Sequence, residues 1–413
     1  MSLRILHTAD WHLGKKLDSF SRLEEQVEVM DEICSIADEQ NVDMVIVAGD
    51  LFDTFNPSAE AQDLFYKTLH RLSKGGKRIV FTIAGNHDMP ERIEAPHPLA
   101  ELNGIVLCGF PNTEIKPFKT DFGIEVLQSE PGFVAFKHPN VDFPIRVLYT
   151  PYANEIRLKT FLGIEDRENS LRDVLADKWS YLADKYCDDK GVNLLTAHLY
   201  FMKKDGEVVA EPEGERSILH IGGAQAIFSE NVPAQMQYVA LGHLHRYHSV
   251  DKNPCPIVYS SSPLAYSFAE ANQKKQVVII DLVPGQEASY SPVELKKGYG
   301  LVRGEFSSME EAVNWLRENQ NKYVELTIQT NTYLDAQLRK SLANEHNKIV
   351  NIIPKLILDI ESSVDSKNRV LSIDESQDLE SLFVEYFKYS NGDNVPSDSL
   401  LDLFKEVINQ HND

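Results

Sequence analysis

The chain has 413 residues, 42% of them apolar and 25% charged, with 41 Lys and Arg against 63 Asp and Glu for a formal net charge of −22. One hydrophobic core rarely grows past ~250–300 residues, so more than one domain is expected, and the composition excludes a fibrous, collagen-like or wholly disordered protein. No uninterrupted apolar run approaches the ~18–20 residues that span a bilayer, and Met1–His7 turns polar too soon for a signal peptide's apolar core. Cys34, Cys108, Cys187 and Cys255 lie far apart without a Cys-x-x-Cys pair, which suits thiols in a reducing compartment, so a cytoplasmic location is expected.

The acidic balance argues against a nucleic-acid partner, because phosphate contacts need Lys and Arg. Net charge is not a map, however. Carboxylates gathered around cations count as negative in the sequence and not in the metallated site. From Leu371 onward, moreover, ten acids stand against Lys388 and Lys405, so much of the excess sits at the end of the chain.

In chain order, apolar runs at Leu3–His7, Val42–Ala48 and Arg78–Ala84 predict buried strands, and Leu23–Ala37 and Ala59–Leu72 carry the three- and four-residue spacing of amphipathic helices. Further strands are predicted at Ile105–Phe110, Val134–Lys137, Ile145–Tyr149, Asn193–Ala197, Tyr238–Leu241, Pro256–Tyr259 and Gln276–Leu282. The pattern suits an α/β fold in which two sheets pack together between helices. The texture changes near Pro284-Gly285. A strand-like stretch, Val293–Phe306, leads into the capping box Ser308-x-x-Glu311 and a helix through Asn319; a strand (Tyr323–Gln329), a helix (Leu334–Asn344) and a strand (Ile349–Ile360) follow as a small βαβαβ-like unit. The expected division is therefore 1–284, a small α/β cap at 285–361, a polar linker at 362–377, and a C-terminal helix pair within 378–413, its helices at Leu379–Tyr389 and Ser397–Asn409.

Polar residues sit where the apolar runs stop. Leu3–His7 runs into Asp10-Trp11-His12, Val42–Ala48 into Gly49-Asp50-Leu51-Phe52-Asp53, and Arg78–Ala84 into Gly85-Asn86-His87-Asp88; Asn193–Ala197 ends at His198, and Tyr238–Leu241 at Gly242-His243-Leu244-His245. Ligands bind at the carboxyl ends of strands in α/β folds. Taken singly, Asp-x-His is usually a surface turn, Gly-Asp-x-x-Asp a loop or cap, and a lone His a hydrogen-bonded core residue. Together and in this order, the bland reading is improbable. Carboxylate, imidazole and amide donors without thiolates suit Mn²⁺, Fe or Zn²⁺. Seven donors are too many for one ion and about right for two ions sharing a carboxylate, the arrangement used for in-line attack on phosphate esters.

At these residues the sequence resembles the calcineurin-like metallophosphoesterases. His7-Thr8-Ala9-Asp10-Trp11-His12-Leu13-Gly14, Gly49-Asp50-Leu51-Phe52-Asp53, Gly85-Asn86-His87-Asp88-x-Pro90-Glu91-Arg92, Ala240-Leu241-Gly242-His243-Leu244-His245-Arg246 and Tyr259-Ser260-Ser261-Ser262-Pro263-Leu264 followed by Ser267-Phe268-x-Glu270 look like the SbcD-type exonuclease subunits within that family, with Ser261 standing for the usual glycine. The resemblance covers roughly residues 3–283. It implies that Asp10, His12 and His245 hold one metal, that Asn86, His198 and His243 hold the other, and that Asp50 bridges, with Mn²⁺ first and Mg²⁺, Fe or Zn²⁺ as alternatives. It implies further that His87 points at the scissile phosphate and either stabilises the developing charge or protonates the leaving oxygen, with Asp53 as its carboxylate partner; Asp88 is expected to be a loop-stabilising acceptor. The tail helices have apolar faces, Leu379, Leu382, Phe383, Tyr386 and Phe387 on one and Leu400, Leu401, Phe404, Val407 and Ile408 on the other. They either pack on the chain's own core or, as in SbcD-like proteins, grip the coiled coil of an SbcC-like ATPase. The function this implies is a metal-dependent nuclease acting at DNA ends, as a homodimer within a heterotetramer and with no membrane partner; the alternatives are a stand-alone phosphoesterase for a small phosphomonoester or phosphodiester, and a non-catalytic scaffold, which the full ligand set argues against.

Overall fold

The structure, a computed structural model, describes residues 2–158, 167–214, 216–218, 226–330 and 336–356, and near the C-terminus 382–384, 387, 395–396, 400–401 and 404. Its core is two sheets packed face to face. In the six-stranded sheet, Leu3–Thr8, Met44–Ala48, Ile79–Ile83 and Ile105–Cys108 run parallel, and Gln276–Leu282 and Ser289–Glu294 extend it antiparallel beyond Leu3–Thr8. The seven-stranded sheet has a parallel centre of Ile145–Thr150, Val192–His198, Tyr238–Gly242 and Ile257–Tyr259. Antiparallel strands close both of its edges: Phe133–Lys137 and Glu125–Glu130 on one side, His248–Asp251 on the other.

Strands covered on both faces read as continuous apolar runs. Met44 and Ile46 point into the layer between the sheets, where they join Phe81, Phe136, Val147, Leu194 and Ala240. Val45 and Val47 point the other way, onto helices Leu23–Glu39 and Ala59–Ser73 through Val29, Ile33, Leu64 and Phe65. On the far face of the second sheet, Leu148, Leu195 and Val239 pack under the helix Arg167–Tyr186 through Leu171, Leu175, Trp179 and Leu182. The result is a layered helix–sheet–sheet–helix sandwich. Among the described residues, no helix is long and apolar enough to cross a membrane.

The small unit has the expected strand–helix order: parallel strands Gly300–Phe306, Lys322–Thr330 and Ile349–Leu356 with helices Met309–Glu318 and Ala336–Glu345 between them. Two local expectations fail. Val293–Phe306 is not one strand: Ser289–Glu294 pairs with Gln276–Leu282 across a hairpin, so Pro284-Gly285 is a turn inside the first sheet, and the chain leaves that sheet only after Glu294. Ser308 occupies the N-cap position, but its side chain makes no capping hydrogen bond. The small sheet is anchored on the loops after the first strand. Leu17, Phe268, Leu301 and Tyr323 share one apolar cluster, the Tyr323 hydroxyl donates to Glu25 Oε2 at 3.1 Å, and the Arg22 guanidinium lies 4.8 Å from the Tyr323 ring centroid. The linker at 362–377 lies outside the described residues. In the tail, Phe383 stacks on Phe404 with ring centroids 4.0 Å apart and contacts Phe387 at 6.1 Å, so the described parts of the two apolar faces turn toward each other; Leu379, Tyr386, Val407 and Ile408 lie outside the described residues.

Candidate metal centre

The parallel strands of both sheets end at one place. Asp10 and His12 follow Leu3–Thr8, Asp50 and Asp53 follow Met44–Ala48, Asn86 and His87 follow Ile79–Ile83, His198 closes Val192–His198, and His243 and His245 follow the strand ending at Gly242. The loops are locked to one another through the main chain: Asp10 N–H donates to Gly49 O at 3.0 Å and His12 N–H to Asp50 O at 2.9 Å. Asp10, His12, Asp50 and His243 have φ of 54°, 43°, 48° and 111°, values that residues with a side chain rarely adopt. Glycine is needed where the two sheets meet. A Cβ on Gly242 would lie 1.8 Å from Ala48 O and 2.9 Å from His198 Nδ1, and one on Gly85 would lie 2.1 Å from Asp50 Oδ1.

Donor atoms of Asp10, His12 and His245 lie within 4.8 Å of one another, and so do those of Asp50, His198 and His243. Asn86 joins the second group, its Oδ1 2.9 Å from His198 Nε2. Asp50 reaches toward both groups, with Oδ2 at 3.2 Å from His198 Nε2 and 3.6 Å from His12 Nε2. Its other oxygen accepts the His87 N–H at 2.9 Å, and Asp10 Oδ1 accepts the His243 N–H at 2.8 Å. Both carboxylates are fully buried. Burial pushes Asp10 up to about 7, against the pull of His198 and His245. Burial acts on Asp50 in the same direction, yet His198, by charge and hydrogen bond, together with His12 and His87, pulls it well below the usual carboxylate range. His198 mirrors this: burial alone would lower it, and Asp50 and Asp10 raise it to about 9.

The sequence matches the family model described as calcineurin-like phosphoesterase over residues 3–247. The chain belongs to the calcineurin-like phosphoesterase family. It is 35% identical to the SbcD subunit of the SbcCD nuclease of Bacillus subtilis over 412 residues, covering 98% of this chain and 97% of that protein. It is 30% identical over 294 residues to the protein of the same name from Rhodobacter capsulatus (70% and 69% covered), and 28% identical over 393 residues to that of Escherichia coli K12 (93% and 91%).

Calcineurin-like phosphoesterases of this kind imply divalent metals, and the residues present fit them. Asp10 Oδ2 and His243 Nδ1 are buried with no hydrogen-bond partner, and the two imidazole nitrogens His12 Nε2 and His245 Nε2 face each other at 3.0 Å. Buried acceptors without donors are costly, and cations held by the two donor groups would satisfy them.

His87 Nδ1 lies 2.7 Å from the main-chain carbonyl of Asp53, while the Asp53 carboxylate takes the Lys15 ammonium at 2.8 Å. The Asp53 carboxylate also lies with the imidazole nitrogens of His12 and His87 in a third group of donors, all within 4.8 Å of one another. Asp88 is an acceptor for the loops, taking the N–H groups of Leu51, Phe52 and Gly85 at 3.0, 3.0 and 2.8 Å. Ser261 adopts φ 95°, the conformation a glycine would hold without strain. Sequence reasoning missed Glu211, which lies 2.6 Å from His243 Nε2 in a loop without regular structure, and gave no role to Glu270, 3.2 Å from His245 Nδ1 and paired with the buried Lys275. It also missed Arg157, whose buried guanidinium donates to Gly85 O and Asp88 O at 2.7 Å each and clamps the loop that carries Asn86 and His87. For Glu270, the stretch Ser267-Phe268-x-Glu270 was the available signal; for Glu211 there was none.

Proposed function

We propose that this chain is the catalytic subunit of a DNA-end nuclease: a dinuclear-metal phosphodiesterase, double-strand exonuclease and single-strand endonuclease, working in the cytoplasm with an SbcC-like coiled-coil ATPase in DNA repair, recombination and replication. The observation that carries this reading is the convergence of two buried N/O donor groups on Asp50 in a chain whose similarity to the SbcCD nuclease subunits runs nearly end to end. Residues 1–284, together with the edge strand to Glu294, form the nuclease unit; the remainder of 285–361, after Glu294, caps it against DNA, 362–377 is a linker, and 378–413 binds the ATPase. In favour of the last assignment, Phe383 of one tail segment stacks on Phe404 of the other and contacts Phe387. A homodimer suits the exposed Tyr66, Leu99 and Leu102 beside an apolar groove lined by Leu69, Pro96 and Leu107.

Asp10, His12 and His245 would hold one ion, Asn86, His198 and His243 the other, with Asp50 between them; Mn²⁺ is the first choice for this donor set, with Mg²⁺, Fe and Zn²⁺ as alternatives. Such a pair supplies charge neutralisation at the phosphoryl oxygens and a water acidic enough to attack near neutral pH. Everything else falls to the protein. With Nδ1 directed at the Asp53 carbonyl, the imidazolium of His87 donates its Nε2 proton to the leaving oxygen. His198 directs Nδ1 at Ala48 O, 2.9 Å away, and so turns Nε2 toward Asn86 and Asp50. The decisive experiment is Mn²⁺-dependent degradation of a linear duplex, with and without the ATPase, against a small phosphodiester. Turnover of the small ester alone would favour a stand-alone phosphoesterase. Asp50→Asn is expected to abolish cleavage and weaken both metal positions; two ions retained with near-normal turnover would overturn the shared-carboxylate assignment.

A further inference from the structure

The two histidines of the Gly242-His243-Leu244-His245 segment sit in different donor groups, although only one residue separates them. Two imidazoles so close in sequence would ordinarily turn the same ring atom toward one point. Here they do not. His243 directs Nε2 at Glu211 Oε1, 2.6 Å away, and its buried Nδ1 has no hydrogen-bond partner. His245 does the reverse: Nδ1 lies 3.2 Å from Glu270 Oε1, and Nε2 faces His12 Nε2 at 3.0 Å. An ionised carboxylate only accepts hydrogen bonds, so the nitrogen beside it carries the proton and the opposite nitrogen carries the lone pair.

Both carboxylates are themselves held. The Glu211 side chain accepts from the Ser217 hydroxyl and, at 2.6 Å, from the Ile218 N–H, which fixes the loop on which it stands. Glu270 is buried, takes the Lys275 ammonium at 2.5 Å, and accepts the Tyr266 N–H at 3.3 Å. Lys275 also donates to His245 O at 2.7 Å, tying that carboxylate to the backbone of the histidine it orients. The other two site histidines with a fixed second nitrogen, His87 and His198, use main-chain carbonyls instead. A carboxylate behind a ligating imidazole fixes ring orientation and raises ligand basicity more than a carbonyl does.

We propose that Glu211 and Glu270 are positioning residues that impose opposite tautomers on His243 and His245, so that one His-x-His segment serves two different metal positions. The proposal rests on the two-ion reading above and adds residues outside the ligand set, each assigned to one ion.

The test uses the full chain. In metal-free protein labelled with ¹⁵N-histidine, long-range ¹H–¹⁵N correlation is expected to show His243 protonated at Nε2 and His245 protonated at Nδ1. In Glu211→Ala the His243 preference is lost. Mn²⁺ titration calorimetry then shows one of two ions weakened by roughly 10–100-fold, and anomalous scattering from Mn²⁺-soaked crystals places the weakened ion beside His198 and Asn86. Glu211→Gln, which keeps an acceptor oxygen, restores most of the affinity. Glu270→Gln alone would strand the buried Lys275, so the paired variant Glu270→Gln/Lys275→Met is used, and it weakens the ion beside Asp10 and His12. Unchanged His243 signals in Glu211→Ala, or equal weakening of both ions by either variant, would overturn the proposal. Fewer than two ions in the unaltered protein would instead overturn the two-ion reading, while the metal-free spectra still decide the tautomers.

Discussion

Gly242→Ala tests whether the two sheets meet at the metal centre as closely as the structure has them. The added Cβ would sit 1.8 Å from Ala48 O, where ordinary contact begins at 3.4 Å, so the strand carrying Gly242 must separate from the end of Met44–Ala48. Neither partner is a flexible side-chain tip: Ala48 O is backbone between fully buried strands, and His198 Nδ1, 2.9 Å from the new atom, is the nitrogen that bonds this same carbonyl. Overpacking of a dense core costs about 1–3 kcal/mol, and losing the His198–Ala48 hydrogen bond adds roughly 0.5–1.5 kcal/mol. Together these amount to about 2–4 kcal/mol, or, for a unit of about 290 residues at roughly 2.1 cal/mol/K per residue, a fall in Tm of about 3–7 °C. Since His198 and His243 move with the strands, the variant is also expected to lose the ion they would share. Differential scanning calorimetry on metal-free and Mn²⁺-loaded protein, with metal analysis, reads both effects. Gly300→Ala is the control: its Cβ would have Lys322 as its nearest neighbour at 3.9 Å, and a change within about 0.5 kcal/mol is expected. A Gly242→Ala protein melting with the control and holding two ions would refute the close approach.

His87→Ala is expected to keep two ions and lose about 10²–10⁴ in turnover, whereas His198→Ala loses an ion; equal metal loss in the two variants, measured by metal analysis, would make His87 a ligand and not the acid. Ser261→Gly relieves a φ of 95° in a buried residue and gives up the 2.8 Å bond from its hydroxyl to Ser262 O, so denaturant melts are expected to show a net gain of roughly 0.5–1 kcal/mol; a loss of stability would mean that the hydroxyl bond outweighs the strain. Removing residues 362–413 is expected to leave Tm, metal content and hydrolysis of a small phosphodiester intact while abolishing co-purification with the ATPase. A large fall in Tm would show that the tail belongs to the chain's own core.

How much of this was legible in the sequence follows from where the information lies. The central strands could be read because burial on both faces makes them continuous apolar runs, and the donors because each follows directly on such a run. The helix Arg167–Tyr186 was passed over because charged residues are interspersed through it, although Leu171, Leu175, Trp179 and Leu182 keep one face buried. Pro284-Gly285 looked like a boundary because a hairpin turn and a linker share the same residues. Glu211 and Arg157 were out of reach for another reason. Glu211 meets His243 from 32 residues away, and Arg157 meets Gly85 from 72, so neither contact leaves a local pattern.

Among the described residues, the candidate metal centre departs from local rules more than any other part. Asp10, His12, Asp50 and His243 all lie at positive φ, at a cost of roughly 1–2 kcal/mol each for a residue with a side chain. Asp and His are among the residues that tolerate this region best, so the ligand types and the conformation agree, and the remaining strain is carried by the surroundings. Asp88 gathers three backbone amides, Arg157 two carbonyls, and Gln26 bonds both His12 O and Gly14 N–H at 2.9 Å. These clamps and the fully buried strands beneath them hold in place the loops that carry the candidate ligands. Substitutions at Gly242, Asp88 or Arg157 therefore bear on the site as directly as substitutions of the ligands themselves.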